Sequence, residues 1–377
     1  MGGMYLSPLI LIFSLQIYIL AASVGNLYFE SDWLFRFARI FLHFLAGITV
    51  ARVIIANHGV RRLFWYIVTS SFIASLIIIA SIISEPLNNL LITVFQSPEA
   101  SDSFVGSRFS GIFRTFTISY PLSATTIFAA YLYSIGAMRG IHLLIIVIVI
   151  FMATFLNARA GWIIGYGSLV VIVFITPIMR RKLASKILAG MLILIVALIG
   201  IAVNIDIIKD TPFYLPTSIA LEFLVNYVRG EGLVADSMID YSKKFFDWNR
   251  DAGLLQTIFG SGAFGRGEVS YLFTDNGYAF VLSGMGILGL IIFLALIVSI
   301  IMPRRISDMK TPIWVILATL TLGMAAYNLK EYILFSRNFL ALLAFAYAAY
   351  HFQSVEHARF RESLPKSAEP GLKRKRS

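Results

Sequence analysis

Residues 155–165 read FLNARAGWIIG. Arg159 stands alone there between two long apolar runs, flanked by nothing larger than alanine. A guanidinium is always protonated, and its planar fork of donors pairs with phosphate oxygens two at a time, which a lysine cannot do. Ala158, Ala160 and Gly161 leave that fork unobstructed, and a helix starting at Gly161 adds free backbone N–H groups. The plainer explanations are a snorkelling side chain or an ion pair with Glu331. Other arginines sit in similar settings. Arg108 and Arg114 bracket FSGIF, where Gly111 permits close backbone approach. They share no regular helix face and suit a loop clamp. Arg266 sits in GRGE beside Glu268, while Arg229 opens RGEG and Arg250 sits in NRDAG. Each of these reads equally well as a loop arginine in water.

Proton transfer falls to carboxylates. Asp275, followed by Asn276, stands at the mouth of an apolar helix, where it can serve as a base or only as a helix cap. Glu268 is the second candidate base. A carboxylate near its ordinary pKa of ~4 is a weak base unless burial raises it. Asn276, Tyr278, Glu331 and Arg337 are further polar candidates, although Glu331 and Arg337 of KEYILFSRN can simply pair with each other. Tyr278, Tyr271 and Trp248 suit an interfacial aromatic belt. No metal or cofactor is expected. The chain has no cysteine, its five histidines have no metal-motif spacing, and it lacks a dense carboxylate cluster.

The composition says what kind of frame must position these groups. The 377 residues are 58% hydrophobic and only 14% charged, against ~25% charged in soluble domains. A bilayer core of ~30 Å needs ~20 apolar residues per helix. Suitable runs lie near 4–23, 34–56, 63–83, 117–136, 141–157, 161–179, 186–205, 278–301, 312–329 and 337–352, about ten in all. The second is unusual in holding Arg36, Arg39, His43 and Arg52. Arg61–Arg62, Arg139, Arg180–Arg181–Lys182, Arg304–Arg305 and the LKRKRS tail all fall on one side if both termini are cytoplasmic. That distribution explains much of the net charge of +11, so basicity gives no reason to expect a nucleic-acid partner. The candidate site residues then gather on the other side.

The chain divides into spans 1–7 with an outer loop at 84–116 (residues 1–205), a large outer loop (206–277), spans 8–10 (278–352) and a basic cytoplasmic tail (353–377). The long loop needs structure of its own. Residues 218–228 and 233–247 carry amphipathic helical spacing and suit helices lying on the bundle. Gly284, Gly286 and Gly289 predict close helix packing in the span that follows.

Three ordered segments carry a resemblance. NARAG (157–161) joins two central helices, RFSGIFRTFTISYPLSA (108–124) precedes and opens another, and IFGSGAFGRG with TDNGYAFVLSGMGILG comes last. Together they resemble the O-antigen ligase and polymerase superfamily. That resemblance implies an all-α, GT-C-like polytopic transmembrane helix bundle of about ten spans, with a long periplasmic loop carrying amphipathic helices, in the bacterial inner membrane. It also implies polyprenyl (undecaprenyl) pyrophosphate-linked oligosaccharides as donor and acceptor, and metal-independent inverting transfer on the periplasmic side, with Asn276, Tyr278, Glu331 and Arg337 as candidate sugar-binding residues, Asp275 as an alternative acceptor for a sugar hydroxyl, and Tyr278, Tyr271 and Trp248 able to stack on pyranose faces. It leaves room for a chain-length regulator protein as a further partner. The ligases of the superfamily carry a His-Asn pair where this chain has Asp275-Asn276, and by this topology no histidine falls in the outer loops. That departure favours the polymerase and leaves the identity of the base open. The alternatives are the ligase, which transfers finished glycan to lipid A core, and a lipid-linked oligosaccharide flippase or other transporter.

Overall fold

The computed structural model describes residues 6–25, 31–95, 118–157, 159–228, 253–260, 277–303, 308–309, 311–329 and 337–363. Among them all regular structure is helical. In chain order the helices are α1 (Leu6–Gly25), α2 (Ser31–Ile83), α3 (Glu85–Phe95), α4 (Ser119–Ala124), α5 (Thr126–Ser134), α6 (Gly140–Phe155), α7 (Arg159–Ile175), α8 (Pro177–Val203), α9 (Tyr214–Ala220), α10 (Glu222–Val228), α11 (Leu254–Phe259), α12 (Gly277–Ile301), α13 (Pro312–Tyr327) and α14 (Arg337–Ser363).

Each of the ten apolar runs falls on helix. Among the described residues three helical segments are long and apolar enough to cross a membrane: Ala38–Ile83, Pro177–Val203 and Val281–Ile301. Shorter apolar helices cover Pro8–Tyr18, Gly140–Phe155, Gly161–Ile175, Pro312–Tyr327 and Phe339–Gln353. Many large apolar side chains stand on the outside, among them Ile193, Leu192 and Ile83. Such a surface is costly in water and at home in hydrocarbon, which fits membrane association.

The second and third runs are separated by a break at Gly59 (φ 79°, ψ 165°) within α2, between the expected 34–56 and 63–83. Two other boundaries differ from the sequence reading. The 117–136 run is split at Thr125 into α4 and α5. Helix α8 begins at Pro177, so Arg180, Arg181 and Lys182 occupy its first turns and not a loop. Lysine and arginine stems are compatible with helix and with apolar surroundings, so charge alone does not end a helix.

The core is one continuous cluster joining α1, α2, α4–α8 and α12–α14. Helices α2 and α14 approach closely because Gly47 faces Ala341 and Ala344. Aromatic pairs fill wider gaps, such as Phe64 with Phe128 at 4.8 Å and Phe44 with Tyr347 at 6.1 Å between ring centres. A satellite cluster gathers Phe155 and Leu156 of the α6 end, Leu198 and Ala202 of α8, and Ala220, Leu221 and Val225. It is what holds α9 and α10 down. Residues 218–228 are helical, as the end of α9 followed by α10. Residues 233–247 lie outside the described residues.

Candidate functional site

Tyr120, near the start of α4, is fully buried. Its ring stacks on Tyr327 at the end of α13, 5.4 Å away, and meets Phe339 near the start of α14 at 5.5 Å. Its hydroxyl donates to the Leu320 carbonyl at 2.8 Å. One aromatic side chain thus ties the first residues of α4 to the end of α13 and the beginning of α14.

Helix α7 joins the same end. Gly161 packs on α4 so closely that a Cβ there would fall on Ser119 Oγ, with the Tyr120 amide nitrogen 2.6 Å away. Ser123 Oγ is 2.9 Å from both the Gly161 and the Tyr120 carbonyls, which it can satisfy in turn. The turn before α7 is fixed from both sides: Phe155 and Leu156 are buried ahead of it, and Trp162 meets Phe151 at 5.7 Å and Phe155 at 5.8 Å behind it. Helix α12 also starts here. The Gly277 amide donates to the Asn328 carbonyl at 2.8 Å, and the Asn328 side-chain amide covers the place where a Cβ on Gly277 would be.

Four chain segments therefore begin helices around one point, and three of the sequence-derived candidates, Arg159, Tyr278 and Arg337, lie in the first residues of these helices. Arg159 is the first residue of α7, two residues earlier than the expected helix start, and lies two positions before Gly161. Arg337 is the first residue of α14, two positions before Phe339. Only the backbones of these two arginines are described. Arg108, Arg114, Arg229, Arg250, Arg266, Glu268, Asp275, Asn276 and Glu331 lie outside the described residues. Asp275–Asn276 immediately precede Gly277, the anchored first residue of α12. Tyr278 is half-buried; its hydroxyl donates to the Ala325 carbonyl at 2.8 Å and its ring meets Phe293 edge-on at 5.9 Å.

No family model matches the chain. No curated protein matches it. The functional reading therefore rests on the residues and on this geometry.

Sequence reasoning did not single out Tyr120, Ser119 or Asn328. Ser119 Oγ is wholly buried and has no hydrogen-bond partner among the described residues. Asn328 is fully buried at the end of α13, and Asn157 is 3% exposed just before Arg159. Polar side chains taken out of water at helix ends are costly unless something bonds them. A polar residue closing a long apolar run was the readable signal for Asn328 and Asn157. Among the described residues no group of His, Asp or Glu has metal-site geometry.

Chemically, the starts of α7, α12 and α14 turn their positive ends toward one region. Each stabilises a nearby anion by ~0.3–1 kcal/mol when exposed and up to ~2 kcal/mol when partly buried. The covalent neighbours on two of these starts are arginines. The arrangement suits an anion with several oxygens.

Helix α12 is itself broken. Gly286 has φ 65° and ψ −170°, nine residues into the helix, which is about 13 Å along its axis. Gly260, at the end of α11, has φ 81°. The two glycines nest, so that a Cβ on Gly260 would strike the Gly284 carbonyl and one on Gly286 would strike the Ile258 carbonyl. Only glycine fits both the positive φ and the contact. The small-residue spacing that predicted close packing thus marks both a contact and a break. Tyr18 of α1 compensates at the break, its hydroxyl donating to the Met285 carbonyl at 2.8 Å with the Phe259 carbonyl at 3.0 Å as the alternative acceptor.

Proposed function

We propose that this chain is a membrane glycosyltransferase of the O-antigen polymerase type. It joins polyprenyl-pyrophosphate-linked oligosaccharide repeat units at the periplasmic face of the bacterial inner membrane. In this reading the bundle has about ten crossings in a GT-C-like arrangement, and both termini are cytoplasmic. The single observation that carries the proposal is the meeting around Tyr120 of the segments that bear the three ordered motifs. The starts of α4, α7 and α12, distant in sequence, share the end of the bundle away from Arg61–Arg62, Arg139 and Arg180–Lys182.

The reaction is a single displacement. A hydroxyl of the acceptor repeat unit attacks the anomeric carbon of the donor, and the bond from that carbon to the diphosphate oxygen breaks. Polyprenyl pyrophosphate leaves with the bonding electron pair, and configuration inverts. The hydroxyl proton passes to a carboxylate, Asp275 or Glu268. Charge grows on the diphosphate as the bond breaks, so fixed cations favour the transition state over the ground state. Arg159 is the first candidate for that role, together with one or more of Arg108, Arg114 and Arg266, and Arg229 and Arg250 are the next. Asn276, Tyr278, Glu331 and Arg337 bind sugar. With arginines neutralising the diphosphate, the transfer is metal-independent.

The test is purified protein incubated with a lipid-linked repeat unit, with and without chelator, and resolved on a gel. A ladder in both lanes supports the proposal. Transfer of preformed glycan to lipid A core without a ladder points to the ligase instead. One observation favours a second reading, a lipid-linked oligosaccharide transporter: helices broken within the bundle, like α12 at Gly286, occur at transporter binding sites. Proteoliposomes that move the lipid-linked unit across the bilayer without elongating it would decide for that reading.

A further inference from the structure

By sequence, residues 253–260 belong to the large outer loop, above the bilayer. The structure seats them lower. Gly286 stands five residues inside Val281–Ile301, the part of α12 that is long and apolar enough to cross a membrane, or about 7 Å in from its outer end. Past it the helix has only Ile287–Ile301 left, fifteen residues, and about 22 Å of helix falls short of the ~30 Å of a hydrocarbon core. The break therefore sits inside the outer part of the apolar layer, and α11 ends against it. The Ile258 carbonyl lies where a Cβ on Gly286 would be, and the Gly284 carbonyl where one on Gly260 would be.

The hydrogen bonds at the break are a second, independent sign. Hydrocarbon tolerates irregular backbone only where protein covers it. Gly260 and Met285 are buried. The Gly260 amide donates to the Gln256 carbonyl at 2.8 Å. The Met285 and Phe259 carbonyls share the Tyr18 hydroxyl, at 2.8 and 3.0 Å. Helix α1 thus supplies the donor that water would supply to a solvated loop. Thr257 returns its hydroxyl to the Gly253 carbonyl at 3.2 Å.

What α11 turns outward is apolar. Leu254 and Leu255 are 76% and 73% exposed, and Phe259 is exposed as well. Leu255 and Phe259 stand four residues apart on one helix face, within about 6 Å of each other along the axis. Ile17, next to Tyr18 on α1, and Ile287 and Leu288, next to Gly286 on α12, are exposed in the same way. Helix contacts within membranes favour small residues. Here the small residues, Gly260, Gly284 and Gly286, are spent on the contact between α11 and α12, and the outward face carries bulky side chains that suit lipid.

We infer that residues 253–260 form a re-entrant segment whose Leu255 and Phe259 side chains lie among the acyl chains of the outer leaflet. The inference uses the membrane reading of the bundle and not the glycosyltransferase reading.

The chain has no cysteine, so single nitroxide labels can be placed on the full-length protein in lipid nanodiscs. Phe259→Cys and Leu255→Cys are read by power saturation against oxygen, which concentrates in hydrocarbon, and against a water-soluble nickel chelate. Leu192→Cys, exposed on α8, is the lipid reference. Lys209→Cys, exposed past the outer end of the same helix, is the water reference. Both α11 labels are expected to collide severalfold more with oxygen than with nickel, as at Leu192→Cys. Nickel collisions matching Lys209→Cys would put the segment in water and overturn the inference. Weak collisions with both reagents would put it under protein, a second copy included, and overturn it as well. Should Phe259→Cys disturb the turn, Leu255→Cys carries the test alone, since its side chain is almost free of packing.

Discussion

Replacing Gly161 by alanine probes the packing on which the candidate site depends. A Cβ at this position would lie 2.6 Å from Ser119 Cβ and 2.6 Å from the Tyr120 amide nitrogen, and would fall on Ser119 Oγ. Comfortable separations are ~3.5–4.0 Å, so the starts of α4 and α7 must part by about 1 Å. Overpacking of this kind costs about 1–3 kcal/mol. The same displacement moves the backbone of Arg159, two residues away, relative to α4. Misplacement by about 1 Å of a group that positions substrate costs roughly 10²-fold in rate. Gly161→Ala is therefore expected to remain monodisperse, to melt at lower temperature in a detergent thermal-shift assay, and to lose most ladder formation. Adding Ser119→Gly removes two of the three colliding atoms and leaves the Tyr120 nitrogen, so recovery should be partial. A Gly161→Ala protein with wild-type melting and a wild-type ladder would refute the close approach of α4 and α7 and the site built on it.

Other substitutions separate the parts of the account. Arg159→Lys keeps the charge but loses the fork, and is expected to leave the protein in the membrane while abolishing long polysaccharide chains; wild-type chain lengths on a gel would exclude the phosphate role. Tyr120→Phe removes the bond to the Leu320 carbonyl and should cost about 1 kcal/mol in a thermal-shift assay, with the ring stack preserved. Gly286→Ala combines a positive φ with a collision at the Ile258 carbonyl; yield and monodispersity in gel filtration should both fall sharply, beyond the ~1–3 kcal/mol of backbone strain alone. Tyr18→Phe leaves the carbonyls at that break without their hydroxyl donor and should lower the melting temperature by the equivalent of ~1–3 kcal/mol.

Helical structure was legible in the sequence because it follows from local apolar runs, and each of those runs is helical here. The ends were less legible. A scan for apolar residues stops at Arg180 and Lys182, yet the Thr176–Pro177 pair, a cap position followed by proline, was a readable start for α8. The split at Thr125 had no such marker. The break at Gly59 fell in NHGVRR, which reads as a boundary between two spans, and the backbone does leave helical geometry there. Gly286 was noticed as a packing residue, but periodicity cannot report the sign of φ, so the break was invisible.

At the candidate site, Arg159 was visible because a lone charge in apolar surroundings is costly. Tyr120 was not, because its role is made by Tyr327, Leu320 and Phe339, far away in sequence. Ser119 and Asn328 matter through burial, a tertiary property that residue type does not disclose.

The most direct test of the central claim is a map of the protein with its lipid-linked donor bound. The account predicts the diphosphate seated against the first turn of α7, within reach of Arg159, with the sugar toward the start of α12. A diphosphate bound elsewhere, or an Arg159 guanidinium pointing into lipid while donor is bound, would contradict it.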